Sequence, residues 1–118
     1  MTSLEIAEKA VKILDSKKAQ DIRAIRVRDL TVVADYFVIA SGSSTTQVKA
    51  LADEVEFKLG EIGLKNLRAE GYQAADWIVL DYGEVLIHIF CGDTRKFYSL
   101  ERVWADGELL DIASLLEE

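Results

Sequence analysis

Apolar positions along this chain follow two periods, and each change of period marks an element. Behind Thr2-Ser3-Leu4-Glu5, where Thr2 and Glu5 have capping-box spacing, Ile6, Ala10, Ile13 and Leu14 recur at helical intervals. The spacing predicts a helix from about residue 3 to 18, with Lys17 and Lys18 in its last turn near the negative end of the dipole. Asp21 to Arg28 reads as a strand with Ile25 and Val27 toward the core and Arg26 and Arg28 outward. Tyr36-Phe37-Val38-Ile39-Ala40 is almost continuously apolar, the pattern of a strand buried on both faces at the centre of a sheet. Ser41-Gly42-Ser43-Ser44 then turns into a second helix with the stripe Val48, Leu51, Ala52, Val55, Leu59 and Ile62, ended by Gly60 or Gly63. A short strand over Leu67 to Glu70 closes at Gly71. Thr94 to Trp104 is helical in pattern, Gly107 breaks it, and Leu109, Leu110, Ile112, Leu115 and Leu116 suit a last amphipathic turn or two. Strand–turn–helix order of this kind belongs to an α/β domain. With no internal repeat or linker, residues 1–118 are expected to form one domain, with 109–118 as a C-terminal extension.

The clearest local signal is a hairpin: Trp77 to Asp81 and Val85 to Phe90 flank Tyr82-Gly83. Counting outward from a two-residue Tyr82-Gly83 loop pairs Leu80 with Val85, Ile78 with Ile87 and Trp77 with His88. Alternation gives one aliphatic face, Ile78, Leu80, Val85, Ile87 and Ile89, and a second face of Trp77, Val79, Leu86, His88 and Phe90. The second face admits two readings: a packed layer with His88 as a core histidine, or a binding patch anchored by Trp77. Two long helices share one side of a sheet most simply, which leaves the other side partly open.

Composition narrows the function classes. Half of the 118 residues are apolar and 30% are charged, which is globular composition, and there are no prolines. The net charge of −7 disfavours broad nucleic-acid binding while leaving a protein partner open. The lone Cys91 cannot form an internal disulfide and fits a reducing compartment. No apolar run approaches the ~18 residues of a membrane span. The N-terminus lacks the marks of a signal or transit peptide, so a cytoplasmic location is expected.

Candidate chemistry is sparse. One His and one Cys, spaced His88-x-x-Cys91, are a poor start for a metal site, and on one strand they point to opposite faces. Backbone N–H groups of the Ser41–Ser44 turn suit a phosphate at a helix start, although no Walker pattern follows. A Gly-Ser turn there resembles nucleotidyltransferases, which also need paired acids for magnesium. Asp76 and Asp81 are five apart, on opposite faces, so that pair is missing. A nucleotide-binding or nucleotidyltransferase-like enzyme using Ser41–Ser44 is therefore the alternative reading, and simple capping by Ser43 or Ser44 the plainer one. Arg26, Arg28, Arg95, Lys96 and Arg102 lack the interleaved aromatics of an RNA reader.

Taken together the motifs are specific. Ala34-Asp35-Tyr36-Phe37-Val38-Ile39 precedes Ser41-Gly42-Ser43-Ser44 and Gln47. Glu70-Gly71, Trp77 to Asp81 with Gly83, and His88-Ile89-Phe90 come next, then Arg95-x-x-Tyr98-x-Leu100-Glu101-x-x-Trp104. In this order and spacing the chain, from about residue 4 to 106, resembles the Iojap family of ribosomal silencing factors, RsfS. The resemblance implies a mixed sheet of about five strands with flanking helices, a nucleotidyltransferase-like fold without the catalytic acids, no enzymatic activity and no cofactor. It implies binding to the large ribosomal subunit through its fourteenth ribosomal protein, which blocks subunit joining and represses translation in stationary phase or nutrient limitation. Carried over by position, the partner-binding residues are Trp77 as anchor with Leu86, His88 and Phe90, and Asp81, Tyr82, Arg95, Lys96 and Tyr98 at the rim. Glu101 and Trp104 would either brace that face, the plainer role, or contact the partner. The same apolar face would also let two free copies pair.

Overall fold

A computed structural model describes residues 2–28, 34–92 and 108–116. The elements are α1 (Ser3–Ser16), β1 (Gln20–Arg26), β2 (Tyr36–Gly42), α2 (Thr45–Glu61), β3 (Arg68–Glu70), β4 (Trp77–Asp81), β5 (Val85–Cys91), β6 (Glu108–Leu109) and α3 (Ile112–Leu116). The strands form one mixed sheet of six in the order β3-β4-β5-β2-β1-β6. β2 and β5 run parallel, and the other neighbours are antiparallel. Six strands replace the expected five because Leu109 enters a two-residue strand on the edge of β1, so that the last helix starts only at Ile112.

The helix ends follow from local chemistry. The Thr2 side chain accepts from the Glu5 N–H and the Glu5 carboxylate accepts from the Thr2 N–H, the reciprocal capping box the spacing predicts. α1 stops earlier than expected. Lys17 is its C-cap, and Lys18, at φ 62, takes the left-handed conformation from which its N–H and that of Ala19 reach Asp15 and Leu14. In α2, Ser44 caps, Val48, Leu51, Ala52, Val55 and Leu59 are buried, and Ile62 is exposed as the C-cap, outside the predicted stripe.

The two faces of the sheet have different covers. Ile6, Ala7, Ala10, Val11 and Leu14 of α1 and the stripe of α2 pack on Ala24, Val38, Ala40, Ile78, Leu80, Val85, Ile87 and Ile89. α3 joins this side, with Leu115 and Leu116 against the same cluster and α3 itself against α1. The expected aliphatic hairpin face is thus the main core. Ile25 and Val27 are buried as predicted, but in a second cluster on the opposite face with Ala34, Phe37, Ile39 and Phe90. It is Ala24 that faces the helices, since alternation sends Ala24 and Ile25 to opposite faces of β1. Among the described residues no helix packs on this second face. β2 lies between the two clusters with all seven residues buried, as its apolar run predicts.

One end of the sheet is fastened at Asp35. The Ser3 hydroxyl donates to its carboxylate at 2.9 Å, and the Val27 N–H donates to its carbonyl at 2.8 Å. The N–H groups of Asp35 and Tyr36 both donate to the carbonyl of Glu84, at 2.7 and 3.1 Å. Four segments distant in sequence meet there.

Two backbone positions make opposite predictions. Gly71 has φ +89, and a Cβ placed on it would lie 2.1 Å from the carbonyl oxygen of Trp77. Gly71→Ala is expected to lower stability by at least about 2 kcal/mol, because a backbone atom cannot give way. Lys18→Gly, which removes a Cβ from a left-handed residue, is expected to raise it by about 1 kcal/mol. Urea unfolding of the two variants reads both signs.

Candidate functional site

The second face, on which no described helix packs, is built around β4 and β5, and its register differs from the simple count. Trp77 pairs with Phe90, Val79 with His88 and Asp81 with Leu86, two residues away from the predicted partners. The cause is the turn. Gly83, not Tyr82, holds the positive φ of +84, so Gly83 and Glu84 are the central residues and Tyr82 closes the loop by donating its N–H to the Val85 carbonyl at 3.0 Å. The Asp81 carboxylate accepts from the Gly83 N–H at 2.8 Å and holds that turn. A slip of two preserves which side chains share a face, so the two predicted faces survive while the cross-strand neighbours change.

On this face four rings form a layer. His88 sits under Trp77, whose indole Nε1–H donates to His88 Nδ1 at 3.1 Å. Trp77 stacks on Phe90 with centroids 5.2 Å apart, and Phe37 meets the imidazole edge-on at 4.9 Å. His88 is only 5% exposed, and burial pushes its pKa down to about 4. Because Nδ1 accepts, the neutral ring carries its proton on Nε2, and Nε2 is buried with no hydrogen-bond partner. His88 is therefore a buried histidine, as in the first of the two readings, while the half-buried Trp77 above it keeps a partly open surface, as in the second.

Beside the rings an open groove of about 380 Å³ has a floor of Val79 and Leu86 and a wall of Leu67, with Arg68, Glu70 and Asp81 at its rim. Leu67 is 71% exposed. Arg68 reaches the half-buried Asp81 at 3.5 Å and the exposed Glu70 at 3.8 Å, surface pairs that contribute little to stability but set the charge pattern of the rim.

The predicted site residues separate. Trp77, Asp81 and Leu86 share this face at partial exposure, whereas His88 and Phe90 lie beneath it and support rather than touch. Tyr82 is a correction. It falls on the alternate row, packs against the helix-side core, and has a buried hydroxyl with no hydrogen-bond partner and a pKa pushed up to about 12, chiefly by burial. Arg95, Lys96, Tyr98, Glu101 and Trp104, with the helix predicted from Thr94 to Trp104, lie outside the described residues. Sequence reasoning missed Leu67, Arg68 and Glu70. The strand was predicted, but its pairing with β4, which turns Arg68 and Glu70 to the Trp77 side, is non-local.

The Ser41–Ser44 turn is filled from within. Ser44 Oγ accepts from the Gln47 N–H at 3.1 Å, and Gln47 Oε1 accepts from both the backbone N–H and the hydroxyl of Ser43, at 2.5 and 2.8 Å. Capping, the plainer reading, accounts for these groups, and the carboxamide stands where a phosphate oxygen would bind. Among the described residues no three His, Cys, Asp or Glu side chains gather as a metal site.

The buried imidazole predicts a pH effect with a definite sign. The unfolded chain takes up the proton near pH 6.5 and the folded chain only near 4, so stability falls as the pH drops through that window. At about 1.4 kcal/mol per pH unit the loss amounts to roughly 3 kcal/mol. Urea midpoints measured from pH 7 to 4 should show it, and His88→Phe should flatten that part of the curve.

Comparison with known proteins matches these features to a family. The family model described as "Ribosomal silencing factor during starvation", RsfS, matches residues 1–118. A ribosomal silencing factor RsfS of Bacillus subtilis is 38% identical over 112 residues, covering 95% of either chain. That of Halalkalibacterium halodurans is 34% identical over 116 residues, 98% of this chain and 99% of its own. A crystal structure of a Chromobacterium violaceum protein superposes with a TM-score of 0.86 at 33% identity, covering 89% of this chain and 88% of that one. The chain belongs to the RsfS family of ribosomal silencing factors, which are not enzymes.

Proposed function

We propose that this protein binds the large ribosomal subunit through its fourteenth ribosomal protein, using the Trp77 face of β4 and β5, and so blocks subunit joining. Translation is thereby repressed in the bacterial cytoplasm in stationary phase or nutrient limitation. The observation that carries the reading is Trp77: a half-buried indole, fixed on a layer of buried rings, beside a groove with an apolar floor. An aromatic anchor ringed by partly polar contacts is the usual form of a binding hot spot. Silencing by occlusion also needs no acid pair, metal or phosphate cradle. The net charge of −7 favours a protein contact over ribosomal RNA.

Trp77→Ala is expected to weaken binding to purified 50S subunits by thirtyfold or more, the effect of about 2 kcal/mol at an anchor. Phe57→Ala, at a residue 61% exposed on α2, should leave binding unchanged. Co-sedimentation with 50S and light scattering of 70S formation read the two consequences. Equal binding by wild type and Trp77→Ala would move the interface elsewhere, and no binding by wild type would end the ribosomal reading. Light scattering of the free protein tests whether the same face also pairs two copies.

A further inference from the structure

Position 88 is a poor place for an imidazole if packing were its only task. The side chain is 5% exposed, Phe37 and Phe90 flank it, and Ile39 and Val79 are its cross-strand neighbours. A phenylalanine would fill such a site with no polar atom. The histidine instead leaves its Nε2–H buried without an acceptor, a state that burial makes costly. What the imidazole supplies in return, and a phenyl ring cannot, is the Nδ1 lone pair 3.1 Å from the Trp77 indole nitrogen. Stacking on Phe90 fixes the plane of the indole, and the hydrogen bond to His88 fixes which way its N–H edge points. A half-buried indole held at a plane and at a point has little rotamer freedom left to lose on docking.

We propose that His88 is a positioning residue for partner binding: through Nδ1 it holds the Trp77 indole in the orientation that docks, and it is kept for that purpose at the expense of folding stability. The inference rests on the proposed role of Trp77 as anchor.

Two substitutions separate this role from a structural one. His88→Phe removes the acceptor and the orphan N–H together. His88→Asn keeps an acceptor, Oδ1, on the atom position of Nδ1 but leaves a smaller side chain. Thermal unfolding should rank His88→Phe at or above wild type and His88→Asn below both. Binding to 50S should rank in the other order, with His88→Phe about tenfold weaker than wild type and His88→Asn close to it. In a nitrogen–proton correlation spectrum, the indole signal lost in Trp77→Ala should move in His88→Phe and return toward its wild-type position in His88→Asn. A merely structural histidine would make affinity follow stability, and that result overturns the proposal. If Trp77→Ala loses binding while His88→Phe keeps it, the docking face stands and the positioning role alone falls. If Trp77→Ala binds as wild type does, the face is misassigned and the positioning role falls with it.

Discussion

The structure depends on the burial of β2. Seven consecutive residues, Tyr36 to Gly42, have neither face nor edge in water, with β5 parallel on one side and β1 antiparallel on the other. A strand so placed must have an apolar layer above and below. The helices α1 and α2 supply the upper layer, and the lower one is made by the strands themselves through Phe37, Ile39, Ile25, Val27 and Phe90. Among the described residues one sheet face is therefore roofed by helices and the other lined by aromatic and branched side chains. The proposed docking surface is a by-product of that imbalance.

Much of this is legible in the sequence because it is written in periods. The capping box at Thr2, the stripe of α2 and the double burial of β2 need only local pattern. The hairpin shows where pattern stops. Alternation placed Trp77, Leu86, His88 and Phe90 on one face correctly, since any even slip preserves the faces. It could not decide the register, which depends on whether Tyr82 or Gly83 takes the positive φ, and glycine takes it at far lower strain. Tyr82 shows the same limit: a residue read as loop has no row, whereas the real turn, closed by its N–H on the Val85 carbonyl, sets its side chain against the helix-side core. The groove around Leu67 and Arg68 could not be read at all, because it arises from pairing between β3 and β4 across the Gly71 loop.

The ring layer also shows how a small domain divides stability from recognition. Phe37 and Phe90 are fully committed to the core, Trp77 is partly committed, and His88 joins the two through one neutral hydrogen bond. Burial lowers the pKa of the ring to about 4, so the imidazole is neutral at ordinary pH and the link does not change with modest acidification. Gly71 belongs to the same arrangement. Its bare backbone lies against the carbonyl of Trp77 and lets the chain turn directly into β4 where the indole begins.

The parallel pairing of β2 with β5 has a consequence in time. Tyr36 and Val85 are register partners, yet all of α2, β3 and β4 lies between them in the chain. Contacts with such a long loop to close form late and slowly. Trp77, Phe90 and His88 can meet within the β4–β5 hairpin, but Phe37 and Ile39 join them only when β5 inserts beside β2, and until then the ring layer is incomplete. A nascent chain thus lacks the complete form of the proposed docking surface until β5 has left the exit tunnel and paired with β2.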